Sequence, residues 1–535
     1  MTDAAIHQRR IVIAAGFCVM AFSLVFVKLF DVTVMKGAVT GAVAPVAETP
    51  PVIRADITDR NGQLLARDLP VSDLYATPAA FDDRSAAARD LADVLGLDAA
   101  KLAKLFAGKH AYVLVGRQLS DDQVAKVKDL NLQGLDFEPA HKRIYPQGNA
   151  ANQVLGVTDN EGNGVNGLER GLDARLRAGG SVALSLDMRV QYALTQQLAA
   201  AKDEYRAAAA GGIVIDVNTG EILAMGSLPD SGPPEPDGKM PGRNRMVRDT
   251  YELGSVFKIF AFTLAMQDHT TRLDETFPIA AGYKIGRFTI HDAEHLPAIM
   301  TARDILAQSS NVGTAQIALR SGPARQYEFL KSMGLLRAPR SELAETAWPS
   351  YPSFPHGWGQ VETATIGFGH GITVSPLAFV TAASSVVNGG RRIQPTFLKQ
   401  DAAAASARGE QVIDPSTSAT MRGLLRYVVT DGTGKLAEVP GYDVGGKTGS
   451  AQKNVHGRYI AHKLLTSFCA VFPIDNPRYL VFVMLDEPHG ESAVMALAGH
   501  TAAPLAGDVI AHIAPMLEMP TSAAVPVPVP GKGNS

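Results

Sequence analysis

The feature that most limits the fold is a split set of strand-forming segments. Residues 212–217 and 222–228 are apolar runs joined by Asn218-Thr219-Gly220-Glu221, a turn sequence that predicts a β-hairpin. Two further runs of strand character, 464–471 and 479–485, lie far downstream, and apolar patterns at helical spacing fill the interval. Residues 507–517 close the region as a helix. Strands, then helices, then strands again point to an α+β fold whose first hairpin joins the later strands in one sheet.

The remainder of the 535 residues needs at least one more domain. The sheet-bearing domain is expected to begin near Ser181, where Leu184-Ser185-Leu186-Asp187 leads into a helix over 188–206. Upstream, 85–95 and 99–106 have the spacing of amphipathic helices, 111–115 reads as a strand and 121–130 as another helix. Asn61-Gly62, between apolar flanks, predicts a hairpin turn. The charges around it, from Arg54 to Arg60, suit a solvated strand face by pattern alone. The glycine-rich stretch 162–170 is expected to be a structural turn, since no strand-to-helix pattern of a nucleotide loop surrounds it.

Compartment is set by the N-terminus. Arg9-Arg10 precedes an uncharged run over 11–27 that Leu29 and Phe30 extend if Lys28 snorkels, enough for one membrane-spanning helix with a cytoplasmic N-terminus. A cleaved signal peptide fits less well, because Ala42-Val43-Ala44 lies well beyond the run and Pro45 follows. The expected organisation is a cytoplasmic tail at 1–10, a transmembrane helix at 11–30, a linker at 31–50, an N-terminal domain at 51–180, the sheet-bearing domain at 181–519 and a disordered tail at 520–535. The catalytic part then lies outside the inner membrane. A net charge of -3 without a long basic stripe excludes a nucleic-acid binder. Cys18 falls inside the apolar run, so no disulfide with Cys469 is expected.

The chemistry concentrates in three short motifs. Tyr251-Glu252-Leu253-Gly254-Ser255-Val256-Phe257-Lys258 places a serine and a lysine at i and i+3, at the start of the apolar helix that follows. On one helix face the Ser255 hydroxyl and the Lys258 amine can come within hydrogen-bond reach. The spacing alone decides little, because Ser450 and Lys453 share it. However, Ser309-Ser310-Asn311 ends a helix running from Ala302, and Lys447-Thr448-Gly449-Ser450 follows Gly445-Gly446 in a strand context. S-x-x-K, S-x-N and K-T-G in this order are the motifs of penicillin-recognising serine enzymes. His291 and His295 stand at i and i+4, but a short loop and no third ligand argue against a metal, and no cofactor is implied. His370 and His500 read as structural or near-site polar residues.

On these motifs the chain resembles class B penicillin-binding proteins and is most similar to the septal, FtsI-like peptidoglycan transpeptidases. The membrane anchor, 54–66 and 164–169 match the family's N-terminal pedestal of dimerisation type, and 212–229, the three motifs, 367–376, 432–434 and 467–473 match its transpeptidase domain. Ala55, Leu253, Ser450 and Ala498 depart from the pattern, standing where glycine, proline, threonine and glycine are usual. The resemblance implies a five-stranded antiparallel sheet flanked by helices, as in serine β-lactamases. It further implies Ser255 as nucleophile, Lys258 as its base, and Ser309 and Asn311 relaying the proton and binding the donor amide. Lys447 and Thr448 would hold the substrate carboxylate, with Gly449 and Ser450 on the same strand. The backbone N–H groups of Ser255 and Ser450 would form an oxyanion hole, worth about 3 to 4 kcal/mol per donor.

A neutral Lys258 is required by this chemistry. Neutralising a free lysine at pH 7 costs roughly 4.6 kcal/mol, which burial and a second cation, here Lys447, can supply. The implied substrates are peptidoglycan stem peptides on lipid-linked precursor strands, with penicillin and other β-lactams acylating the same serine. The implied partners are an FtsW-type glycan polymerase and other division proteins. The competing readings are an elongation-type transpeptidase, a D,D-carboxypeptidase or β-lactamase using water, and a non-catalytic divisome scaffold or β-lactam sensor.

Overall fold

The apolar runs assemble into one sheet buried on both faces. The computed structural model describes residues 53–229, 243–455 and 458–521, with a few isolated positions before residue 30. The expected spanning helix at 11–30, the linker at 31–50 and almost all of the tail at 520–535 lie outside the described residues. Among the described residues no helix is long and apolar enough to cross a membrane.

The central sheet has the order Gly445–Val455, Arg458–Phe472, Tyr479–Asp486, Ala209–Asp216, Ile222–Leu228, with every pair antiparallel. The hairpin Ala209–Asp216/Ile222–Leu228 thus joins the late strands through Ile213 opposite Phe482. Alternate residues of these strands serve two cores. Val214, Val481 and Val483 pack with Leu194 and Leu198 of helix Met188–Glu204 and with Val509 and Ile513 of helix Ala502–Met516. Ile213, Ile215, Phe482 and Met484 instead face the helical lobe, against Phe260 and Phe379. A period of two against two apolar layers explains why the strands read as continuous hydrophobic runs. The last helix begins five residues earlier than its apolar pattern suggested, at Ala502.

The N-terminal domain has a second five-stranded sheet, built from Ile57–Thr58, Leu64–Ala76, Val113–Leu119, Leu135–Ile144 and Val182–Ala183. Its outer part has a core of its own, in which Leu91, Leu102 and Phe106 of helices Arg84–Leu95 and Ala99–Phe106 pack on Leu74 and Val113. At its base Ile57, Leu65, Leu168, Leu172 and Val182 enter the same core as the helical lobe. The Asn61-Gly62 hairpin forms as expected, with Ile57 opposite Ala66.

The solvated face expected for the charges near Arg54 is not found. Arg54 is 2% exposed and Asp59 1% exposed. Arg54 Nε donates to Glu169 at 2.6 Å, and its other nitrogens reach Asp173 and the Glu169 carbonyl. Arg143 Nε donates to the second Glu169 oxygen at 2.8 Å, and Arg143 Nη1 pairs with Asp68 at 3.2 Å. The glycine-rich stretch closes this cluster: Gly162 accepts from Arg54 at 3.2 Å, and the Gly164 N–H donates to Asp173 at 2.9 Å. Local pattern could not show this, because the partners come from distant segments that only the fold brings together.

Candidate active site

The site lies where the edge strand Gly445–Val455 meets the helical lobe. Ser255 sits in a 3₁₀ turn, Gly254–Phe257, that runs directly into helix Lys258–Gln267. Every residue from Lys258 to Met266 is buried, so the helix is fixed on all sides and holds the turn at its N-terminus. The strand passes very close to this turn. A Cβ at Gly449 would stand 2.8 Å from Leu253 O and 2.7 Å from Ser467 Oγ, so only glycine fits there. Gly254, at φ +60°, likewise leaves no room for a side chain against Ala451 and Ser450. These two glycines let Ser255 and Ser450 approach as neighbouring segments.

The three motifs converge on one hydroxyl. Lys258 Nζ donates to Ser309 Oγ at 3.1 Å and also to the Ser309 carbonyl. Lys447 Nζ donates to the same Ser309 Oγ at 2.9 Å and to Thr448 O and Oγ1 at 3.1 and 3.2 Å. Ser309 takes the left-handed conformation, at φ 62°, between helices Ala302–Ala307 and Asn311–Ser332. A non-glycine residue held there is strained, and the strain is offset by two lysines gripping its oxygens. The Ser255 hydroxyl is partly exposed and has no hydrogen-bond partner among the described residues. Among the described residues the hydrogen bonds of the S-x-x-K lysine thus go to Ser309 and not to Ser255.

The electrostatics of the two lysines follow from burial. Lys258 and Lys447 are both 0% exposed, and neither forms an ion pair among the described residues. Burial, reinforced by Lys447, holds Lys258 well below the ordinary lysine range; Asp292 opposes the shift. Burial pushes Lys447 down to about 7. The pair thus combines a lysine whose surroundings favour the neutral amine with a second that titrates near neutrality.

Thr448 Oγ1, 3.2 Å from Lys447 Nζ, lies 2.7 Å from Thr433 Oγ1, so a second hydroxyl stands beyond the one that meets the lysine. Ser450 Oγ accepts the Ala498 N–H at 3.0 Å, which joins the two downstream departures from the family pattern in one contact. Asn311 is half-buried; its side chain makes no hydrogen bond among the described residues, while its N–H donates to Asp292.

Asp292 was not singled out by sequence reasoning. Its carboxylate accepts from Ser310 Oγ at 2.8 Å and from the N–H groups of Asn311 and Val312, the latter at 3.1 Å, and so caps the helix that begins at Asn311. The histidine pair on either side of it is exposed. No local signal could have found Asp292, because no spacing ties it to a helix 19 residues on. His370 lies near Lys258, and burial together with that neighbour pushes its imidazole down to about 4. His500 is half-buried.

Comparison with known proteins agrees with this geometry. A family model described as the penicillin binding protein transpeptidase domain matches residues 210–511, and one described as the penicillin-binding protein dimerisation domain matches residues 49–183. The chain is 37% identical over 487 residues to a probable peptidoglycan D,D-transpeptidase FtsI of Caulobacter vibrioides, covering 87% of this chain and 81% of that one. It is 32% identical to a probable peptidoglycan D,D-transpeptidase PenA of Neisseria gonorrhoeae, covering 82% and 81%. Among solved structures, penicillin binding protein 3 of Mycobacterium tuberculosis complexed with aztreonam superposes with a TM-score of 0.69 at 26% identity, covering 88% of this chain and 98% of that one. By sequence and by fold, then, the chain belongs to the FtsI-like class B penicillin-binding proteins and is a serine-type peptidoglycan D,D-transpeptidase.

Proposed function

We propose that Ser255 is the acylated residue and that the protein cross-links septal peptidoglycan during division from a single-pass anchor in the inner membrane. The observation that carries the catalytic part is the convergence of Lys258 and Lys447 on Ser309 Oγ, with Ser255 on the turn that leads directly into the Lys258 helix. Neutral Lys258 takes the Ser255 proton as Oγ bonds to the carbonyl carbon of the donor peptide. The proton passes by way of Ser309 to the nitrogen of the leaving D-alanine, and the C–N bond breaks. Lys447 and the hydroxyls of Thr448 and Thr433 receive the terminal carboxylate, while Asn311 binds the donor amide. The N–H groups of Ser255 and Ser450 hold the oxyanion.

In the second half, the acceptor ammonium first gives one proton to solvent. The free amine nitrogen bonds to the acyl carbon, its extra proton reaches Ser255 Oγ through Lys258, and the ester C–O bond breaks. A β-lactam acylates Ser255 by the same first step.

The septal assignment follows the similarity to the FtsI relative. Residues 11–30 supply the anchor, with Arg9 and Arg10 on the cytoplasmic side, and an FtsW-type polymerase is the partner expected along the anchor and N-terminal domain. Fluorescent penicillin tests these readings together. Wild-type protein should label and concentrate at the division plane, and Ser255→Ala should neither label nor form cross-linked peptide dimer. D-alanine release without dimer would instead establish a carboxypeptidase. Label spread along the side wall would establish an elongation role.

A further inference from the structure

The donor half of the site is built for an anion, yet a carboxylate sits on its other flank. Glu252 lies three residues before Ser255 and is half-buried. It accepts the Tyr459 hydroxyl at 3.0 Å and the Gly371 N–H at 3.3 Å, and it forms no ion pair among the described residues. Tyr459, on strand Arg458–Phe472, keeps 45% of its surface exposed. Its ring stacks on that of His370, with centroids 5.4 Å apart and planes 22° from parallel. Phe368 closes edge-on against His370, also at 5.4 Å.

Among the described residues no cation pairs with this carboxylate. Burial pushes the His370 imidazole down to about 4, so it carries no charge at physiological pH, and burial lowers Lys258 well below the ordinary lysine range. Burial raises the Glu252 carboxyl above the ordinary range. A half-buried carboxylate without a counter-charge is a cost that an incoming cation would relieve. An exposed aromatic face beside it adds a second favourable contact for the same cation.

A cross-linking enzyme binds two substrates of opposite charge. The donor peptide ends in a carboxylate, for which Lys447, Thr448 and Thr433 are suited. The acceptor brings a primary amine that is an ammonium in water. We propose that Glu252, with the ring of Tyr459 and the neutral imidazole of His370, forms the recognition site for the acceptor peptide's ammonium group.

This inference rests on acylation at Ser255, and the test separates the two. The full chain in detergent would be acylated with a thioester donor. The acyl-enzyme would then be offered either a stem-type peptide with a free lysyl amine or hydroxylamine, which is largely uncharged at neutral pH. The readout is the preference for the charged over the uncharged acceptor. In Glu252→Gln this preference should fall at least tenfold, and in Tyr459→Leu about threefold. A trapped acyl-enzyme whose preference is unchanged, whether both acceptors slow together or neither does, assigns Glu252 to shaping the serine turn and overturns this proposal alone. Absence of any acyl-enzyme in the wild type overturns the acylation reading and this proposal with it.

Discussion

At the base of the N-terminal domain Arg54 is almost as buried as Lys258 and Lys447 in the active site, and the Arg143 side chain is only 4% exposed, yet the two pairs keep opposite company. The arginines meet Glu169, Asp173 and Asp68. The lysines meet only hydroxyl and carbonyl oxygens of Ser309 and Thr448. The consequence shows in their proton affinities. Burial alone would lower Arg54, but Glu169 and Asp173 more than offset it and hold it above the ordinary arginine range. Nothing offsets burial at Lys447, and at Lys258 Asp292 does so only in part, so both fall. A buried cation with carboxylate partners is a tie between segments; one without them becomes a base.

The largest effect should come from making an unpaired cation permanently charged. Lys258→Arg puts a guanidinium, which does not deprotonate, where a neutral amine is needed. Acylation by labelled penicillin should slow by on the order of 10³-fold, the scale of a lost general base. A variant that kept more than a tenth of the wild-type rate would break the active-site side of the comparison. Next in size, Glu169→Gln takes one of two carboxylate partners from each of two guanidiniums at once, leaving Arg54 only Asp173 and Arg143 only Asp68. Urea denaturation should show a loss of about 3 to 5 kcal/mol, the cost of breaking a buried ion pair by removing one partner. A loss below about 1 kcal/mol, the range of surface pairs, would mean that water already reaches the cluster.

How far the sequence went is clearest from these same residues. Ser255, Lys258, Ser309 and Lys447 were legible because each sits in a short motif whose spacing reports its chemistry, and the strand–helix–strand order placed them around one sheet. Arg54 and Glu169 were visible as residues but not as a pair, since 115 positions separate them and charge near a hairpin turn looks solvent-facing until burial is known. Asp292 was hidden for a similar reason: it lies in a histidine-bearing loop that showed no third metal ligand, whereas in the fold it caps the helix that begins at Asn311. Nor did spacing show that Lys258 would turn to Ser309. Ser309 lies 51 positions away, and its left-handed backbone leaves no local signature.

The smallest effect discriminates best, because its sign is opposite to that of Glu169→Gln. Lys447 titrates at about 7 in the folded protein, against 10.5 for an ordinary lysine. Above 10.5 the side chain is neutral in both states and burial costs no charge. As pH falls from 10.5 to 7, the unfolded chain binds a proton that the folded one refuses, so stability drops by up to about 1.4 kcal/mol per pH unit. Below 7 both states hold the proton and the full penalty stands. Lys447→Met removes that penalty and keeps most of the apolar stem, at the loss of the bonds to Ser309 and Thr448. At pH 7 the variant should therefore be more stable than wild type by about 2 kcal/mol in urea, a typical gain when a strained functional group is replaced, while acylation falls. The gap should narrow steadily between pH 7 and 9, because only the wild type gains stability from losing the Lys447 proton over that window. If Lys447→Met is instead destabilised, with a gap that does not change with pH, then the hydrogen bonds outweigh the charge. Lys447 would then be a structural tie of the same kind as Arg54.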